Sequence, residues 1–115
     1  MAWEFGNTGL DKETLKEIHR ILYSFPKVKE AVLFGSRAKG CPKKGSDIDI
    51  AIIGEKINLD DISTILAIFE ASLIPSMIDL VDFRGIKNAG LRSHIERVGI
   101  TIYRRDLNMA NYFFN

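Results

Sequence analysis

One short run constrains this chain more than any other: Asp47-Ile48-Asp49-Ile50-Ala51-Ile52-Ile53. Carboxylate and isoleucine alternate with a period of two, which is the pattern of a β-strand and not of a helix face. Ile48, Ile50 and Ile52 fill one face and belong to a core, while Asp47 and Asp49 share the other, their alpha carbons roughly 7 Å apart. Aspartate is depleted in strands, so two on one face require a reason. Side by side, their charges repel and raise one of the two pKa values unless a cation sits between them. Hard divalent cations such as Mg²⁺ take carboxylate oxygens and keep waters and substrate phosphates in their remaining positions. Two such ions together clamp the attacking and leaving oxygens of a phosphoryl-type displacement.

The rest of the chain is organised around that strand. Residues 11–24 read as a helix, with Leu15, Ile18, Ile21, Leu22 and Phe25 near helical spacing, Asp11 as N-cap and Pro26 as the stop. Leu10 and Leu15 suit a hydrophobic staple. Ala31-Val32-Leu33-Phe34 is a short buried strand that runs into a turn at Gly35-Ser36. Asn58 can cap a helix over residues 59–73, with Asp61 at its third position and Ile62, Leu66, Phe69 and Leu73 as its apolar stripe. Residues 77–83 form a third strand, 89–98 a last helix with Leu91, Ile95 and Val98 inward, and 100–103 a fourth strand. Helices alternating with strands imply helices laid on one sheet. The dozen or so residues joining the first two strands leave open whether these run parallel.

Asp79 lies in the third strand, opposite in facing to Ile78 and Leu80, so it joins Asp47 and Asp49 if strands two and three are neighbours. Asp82 falls on the other side of the alternation, at the strand end, where capping a turn suits it. Gly35 permits close backbone approach, and the amides and hydroxyl of a Gly35-Ser36 turn suit phosphate. Arg37, Lys39, Lys43 and Lys44 gather positive charge beside that turn. Lys43 and Lys44 read best as a solvated loop, Arg37 as a phosphate contact. Two other motifs fail: Gly35 to Gly40 has P-loop spacing but continues Cys41-Pro42, and the Asp47 run lacks the further oxygen ligand and glycine of a calcium loop.

Phe34-Gly35-Ser36-Arg37-Ala38-Lys39-Gly40 followed by Ser46-Asp47-Ile48-Asp49-Ile50 resembles the signature of the DNA polymerase β-like nucleotidyltransferase superfamily. Shortness and the ending Gly99-Ile100-Thr101-Ile102-Tyr103 are similar to its minimal, MntA-like branch. The resemblance covers roughly residues 11–104. It implies an α/β fold of two layers, a mixed sheet of about four strands with helices packed on it. It further implies transfer of a nucleoside monophosphate from an NTP, ATP being favoured, to a hydroxyl, with release of pyrophosphate. Asp47 and Asp49 would bridge two Mg²⁺ ions, Asp79 would hold the catalytic ion and help deprotonate the acceptor, and Gly35, Ser36 and Arg37 would bind the nucleotide. A helical partner of the HEPN type, bearing the acceptor tyrosine as a toxin or presenting a substrate, is also implied. The alternatives are an antitoxin that neutralises its partner by contact alone, or transfer to a small molecule such as an aminoglycoside.

Composition bounds these readings. The 115 residues make one domain, with residues 1–10 expected as a loose arm, 11–104 as the nucleotidyltransferase domain and 105–115 as a tail. Sixteen Lys and Arg against fifteen Asp and Glu leave a net charge of +1, which argues against direct nucleic-acid binding. A single Cys41 closes no intrachain disulfide. The opening residues do not read as a signal peptide, and no apolar stretch approaches the roughly 18 residues of a membrane helix, so a cytoplasmic location is expected. Cys41 reads as a plain loop thiol, and His19 and His94 as surface or boundary histidines. The aromatic tail, Asn111-Tyr112-Phe113-Phe114, suits a partner-docking strip and an unstructured end equally.

Overall fold

A computed structural model describes residues 5–41 and 46–105. In chain order the elements are α1 (Lys12–Tyr23), β1 (Val28–Phe34), α2 (Gly35–Ala38), β2 (Ile48–Gly54), α3 (Leu59–Ala71), β3 (Ile78–Asp82), α4 (Ala89–Val98) and β4 (Ile100–Arg104), with short 3₁₀ turns at Gly6–Thr8 and Phe83–Gly85. The strands form one mixed sheet in the order β3-β2-β1-β4. β1 runs antiparallel to both β2 and β4, and β2 runs parallel to β3. The connection through residues 35–47 is therefore an antiparallel return, which the spacing alone left open.

The helix starts obey the local chemistry of the sequence. The Asp11 carboxylate accepts the Thr14 N–H at 2.8 Å. Asn58 and Asp61 form a reciprocal capping box, with both bonds 2.9 Å long. Asn88 accepts the Leu91 N–H at 2.9 Å. Each such cap contributes about 1 kcal/mol to its helix. The end of α3 departs from expectation. Both the Ser72 N–H and the Ser72 hydroxyl bond the Phe69 carbonyl, and Ser72 is extended, so the helix closes at Ala71. Leu73, expected on the buried stripe, lies beyond the helix and is 97% exposed.

Apolar residues pack on both faces of the sheet. Ala31 and Leu33 pair with Ile52 and Ile50, and with Ile48 and Leu80 they face α1 and α3 in the larger core. Phe34 and Ala51 occupy the other face and meet Ile95 of α4. The expected two-layer stack is thus extended by α4 on the second face. Asp49 pairs with Phe34 on one side and Asp79 on the other, so both carboxylates lie on the α4 face, and the isoleucine face backs them.

The described residues of two segments expected to be peripheral pack on the body. Phe5, Thr8 and Leu10 are buried, so the part of the arm described here packs against the domain. Arg105 donates to the carbonyls of Val28, Leu22, Tyr23 and Phe25, which satisfies the C-terminal end of α1. His19 is buried edge-on to Tyr103 at 4.9 Å and is a core residue, its pKa lowered first by burial and then by the Arg105 charge. Cys41 is free and exposed, as expected. Lys43, Lys44 and the aromatic tail lie outside the described residues. No described helix is long and apolar enough to cross a membrane.

Gly54 closes β2 against the Lys27 backbone, where a side chain would fall on the Lys27 carbonyl oxygen. Gly6 has open space around it and no left-handed backbone. Gly54→Ala is accordingly expected to destabilise the chain by about 2 kcal/mol or more, as overpacking does, while Gly6→Ala stays close to neutral. Urea unfolding of the two variants beside the parent checks the contrast.

Candidate active site

The carboxylate cluster is assembled by strand pairing. The Ile48 N–H donates to the Met77 carbonyl at 2.8 Å and starts the parallel ladder of β2 and β3. That register sets Asp49 directly opposite Asp79. Asp47 precedes β2 by one residue and is exposed, while Asp49 is half-buried and Asp79 exposed. Asp82, at the far end of β3, opens the 3₁₀ turn at Phe83 but makes no side-chain cap bond, so the expected capping role is not made.

Like charges and burial act together on Asp49. Its carboxyl titrates above the ordinary value, first because of burial, then because of Asp79 and Asp47. Arg37, and His94 when protonated, oppose the rise. Among the described residues no three acidic, histidine or cysteine side chains are gathered closely enough to enclose an ion as they stand. The donor set nonetheless suits a hard divalent cation, since carboxylate oxygens are its preferred ligands. A cation beside Asp49 would also relieve the repulsion that raises this carboxyl.

The turn after β1 meets this cluster at Gly35. Phe34 is the cross-strand partner of Asp49, and the next residue takes φ +74°. A Cβ at Gly35 would collide with the Asp49 carboxylate. Both the backbone angle and the close approach demand glycine. Ser36 follows, exposed, in the short helix α2, whose N-cap Phe34 supplies no side-chain acceptor.

Arg37 departs from the phosphate contact expected of it. It is only 6% exposed. Its guanidinium donates to the carbonyls of Thr8 at 2.9 Å, Ser46 at 2.8 Å and Asp47 at 3.3 Å, and to the Ser76 hydroxyl at 3.3 Å. It therefore ties together the N-terminal turn, the segment bearing Asp47 and the approach to β3. A buried guanidinium needs such partners for its donors. Lys39 is exposed near the turn.

His94 was missed by sequence reasoning. It stands alone on α4, with no second histidine or cysteine at ligand spacing, and only the tertiary packing of α4 against β1 brings it to the site. There its Nε2 accepts the Gly35 N–H at 3.3 Å, and its ring stands edge-on to Phe34.

A mixed four-stranded sheet with a glycine-serine turn and carboxylates on adjacent strands defines a nucleotidyltransferase class of domain. The model of the family described as polymerase beta, nucleotidyltransferase, matches residues 16–108, and the chain belongs to that family. A Methanocaldococcus jannaschii relative, provisionally named a protein adenylyltransferase, is 33% identical over 87 residues, covering 74% of this chain and 87% of the relative. Among solved structures, a toxin–antitoxin complex with AMP-PNP superposes with a TM-score of 0.68 at 24% identity, over 90% of this chain and 81% of the other. A Shewanella oneidensis complex of a tri-AMPylated HEPN toxin with an MNT antitoxin gives 0.63 at 22%, covering 90% and 80%. A chain described as a minimal nucleotidyltransferase gives 0.60 at 27%, over 79% of this chain and 95% of that one.

In the unfolded chain the Asp49 carboxyl titrates at its ordinary value, and in the fold it titrates higher. Ionising it therefore lowers native stability as pH rises through the folded value. Asp49→Asn is expected to raise the melting temperature at pH 7, and the gain shrinks as the pH falls into the carboxylate range. Thermal unfolding across that range checks both the sign and its loss in acid.

Proposed function

We propose that this chain moves AMP from ATP onto a hydroxyl of a helical partner protein of the HEPN type. The acceptor class would be tyrosine, and the pairing would be that of an antitoxin with its toxin. The observation that carries the reading is the register that sets Asp49 beside Asp79 while Asp49 also touches the Gly35-Ser36 turn. Support comes from the adenylyltransferase name of the Methanocaldococcus relative and from neighbours crystallised as toxin–antitoxin complexes, one with AMP-PNP.

Asp47, Asp49 and Asp79 would hold two Mg²⁺ ions, which when bound neutralise the triphosphate and polarise the reacting oxygens. Ser36 presents a hydroxyl donor for the β- and γ-phosphates. Gly35 keeps that turn within reach of the carboxylates. Arg37 holds the backbone on either side of the site, so that Asp47 keeps its position. Asp79 accepts the proton of the acceptor hydroxyl as its oxygen attacks the α-phosphorus in line with the departing pyrophosphate. The O–P bond to the acceptor forms, the bond to the bridging oxygen breaks, and pyrophosphate leaves with the electron pair. Most of the rate comes from positioning and charge stabilisation.

Co-expression with a HEPN-type helical protein, followed by intact-mass analysis of that partner, tests the reading. The partner is expected to gain the mass of AMP with the parent chain and to gain none with Asp47→Asn combined with Asp49→Asn. A partner neutralised equally well by both forms, with no added mass, would establish contact alone as the function. Modification of an added aminoglycoside instead of the partner would assign a small-molecule acceptor.

A further inference from the structure

We propose that His94 is a positioning residue for the nucleotide subsite: its imidazole holds the Gly35 N–H and so keeps the Gly35-Ser36 turn in the form that receives phosphate. The inference rests on the function proposed above and adds a residue that neither the signature nor the carboxylate cluster contains. Gly35 sits at the junction of β1 and α2, where helix geometry leaves the opening amides without internal partners. The N-cap residue, Phe34, has no polar side chain to serve them. The acceptor comes instead from 59 residues away in sequence, at 3.3 Å. Since Nε2 accepts, the neutral ring carries its proton on Nδ1.

The imidazole is itself held firmly. Its ring lies edge-on to Phe34, with centroids 6.2 Å apart. The next residue, Ile95, is buried in the core on that face of the sheet. Two residues earlier, Arg92 lies over the Phe83 ring and donates to the carbonyls of Phe83 and Ile86. Asn88 caps the helix start. The helix, anchored by these contacts, delivers one acceptor to one amide of the turn. With Gly35 N–H engaged by protein, its left-handed backbone is fixed against the Asp49 carboxylate, and Ser36 is the exposed residue left to meet the ligand.

His94→Phe keeps a ring against Phe34 and removes the acceptor; His94→Gln restores a side-chain acceptor of similar reach. The parent and both variants are measured for transfer kinetics with Mg-ATP and the partner. The Gly35 amide is followed in each by ¹H–¹⁵N correlation spectra. Loss of one bond to a half-buried amide is expected to raise the KM for ATP about five- to fiftyfold in His94→Phe, with a smaller change in kcat. The Gly35 amide proton is expected to move upfield, and His94→Gln to recover most of both. Parent-like KM and Gly35 shift in His94→Phe would overturn the proposal. So would equal impairment of both variants with an unchanged Gly35 amide, which would mean packing alone. Tighter ATP binding in His94→Phe would mean that the imidazole blocks the amide, again overturning it. If the parent itself neither binds nor transfers nucleotide, the proposed function fails, and the Gly35 amide still tells whether His94 holds the turn.

Discussion

Asp49 is the residue on which the other parts of the site converge. It is half-buried, opposed across the ladder by a second carboxylate, and set so close to a left-handed glycine that any side chain there would collide with it. Each of these contacts is unfavourable or demanding by itself. They persist because the reverse face of the same strands is locked into the larger core by Ile48, Ile50 and Ile52, with Leu80 beside them on β3. A slip of one residue in either strand would swing the isoleucines out of the larger core and the aspartates into it, which the packing of that core forbids. The core thus supplies the register, and the register supplies the site. The raised titration of Asp49 is the electrostatic trace of that arrangement.

Around this centre the positive groups divide by depth. Arg37 is buried and bonds three carbonyls and a hydroxyl, acting as a strut under the site. Lys39 remains at the surface. A guanidinium suits the strut because it holds five donors in a fixed plane, which a lysine ammonium lacks. Its charge still reaches Asp49 and offsets part of the carboxylate repulsion. One residue therefore serves both backbone geometry and local charge balance.

Much of this was legible in the sequence because it is local. Alternation placed Asp49 and Asp79, while Asp47, read as the first strand residue, falls just before β2, and the Asx caps at Asp11 and Asn58 gave the helix starts. The glycine-serine turn was visible as residue types suited to one conformation. What periodicity cannot report is which elements become neighbours. The antiparallel return into β2 and the burial of Phe5 and Thr8 depend on contacts far apart in sequence. So does the capture of Arg37 by carbonyls from separate segments. Leu73 misled because it continues the stripe of α3, while Ser72 closes that helix. His94 was hidden for the same reason in its strongest form: a lone histidine carries no pattern, and its partner is a backbone amide, which has no signature at all.

The partners chosen by Arg37 have a consequence for how such a chain can change. Three of its four contacts are backbone carbonyls, which every residue type possesses. The strut therefore asks little of the side chains at positions 8, 46 and 47 for its own sake. The identity of Asp47 is left free to answer to chemistry, while Thr8 is constrained on other grounds, since its buried hydroxyl donates to the Phe5 carbonyl and accepts the Leu10 N–H. A scaffold held by main chain in this way separates what keeps the site in place from what the site does, so substitutions that retune the reaction need not first repair the fold.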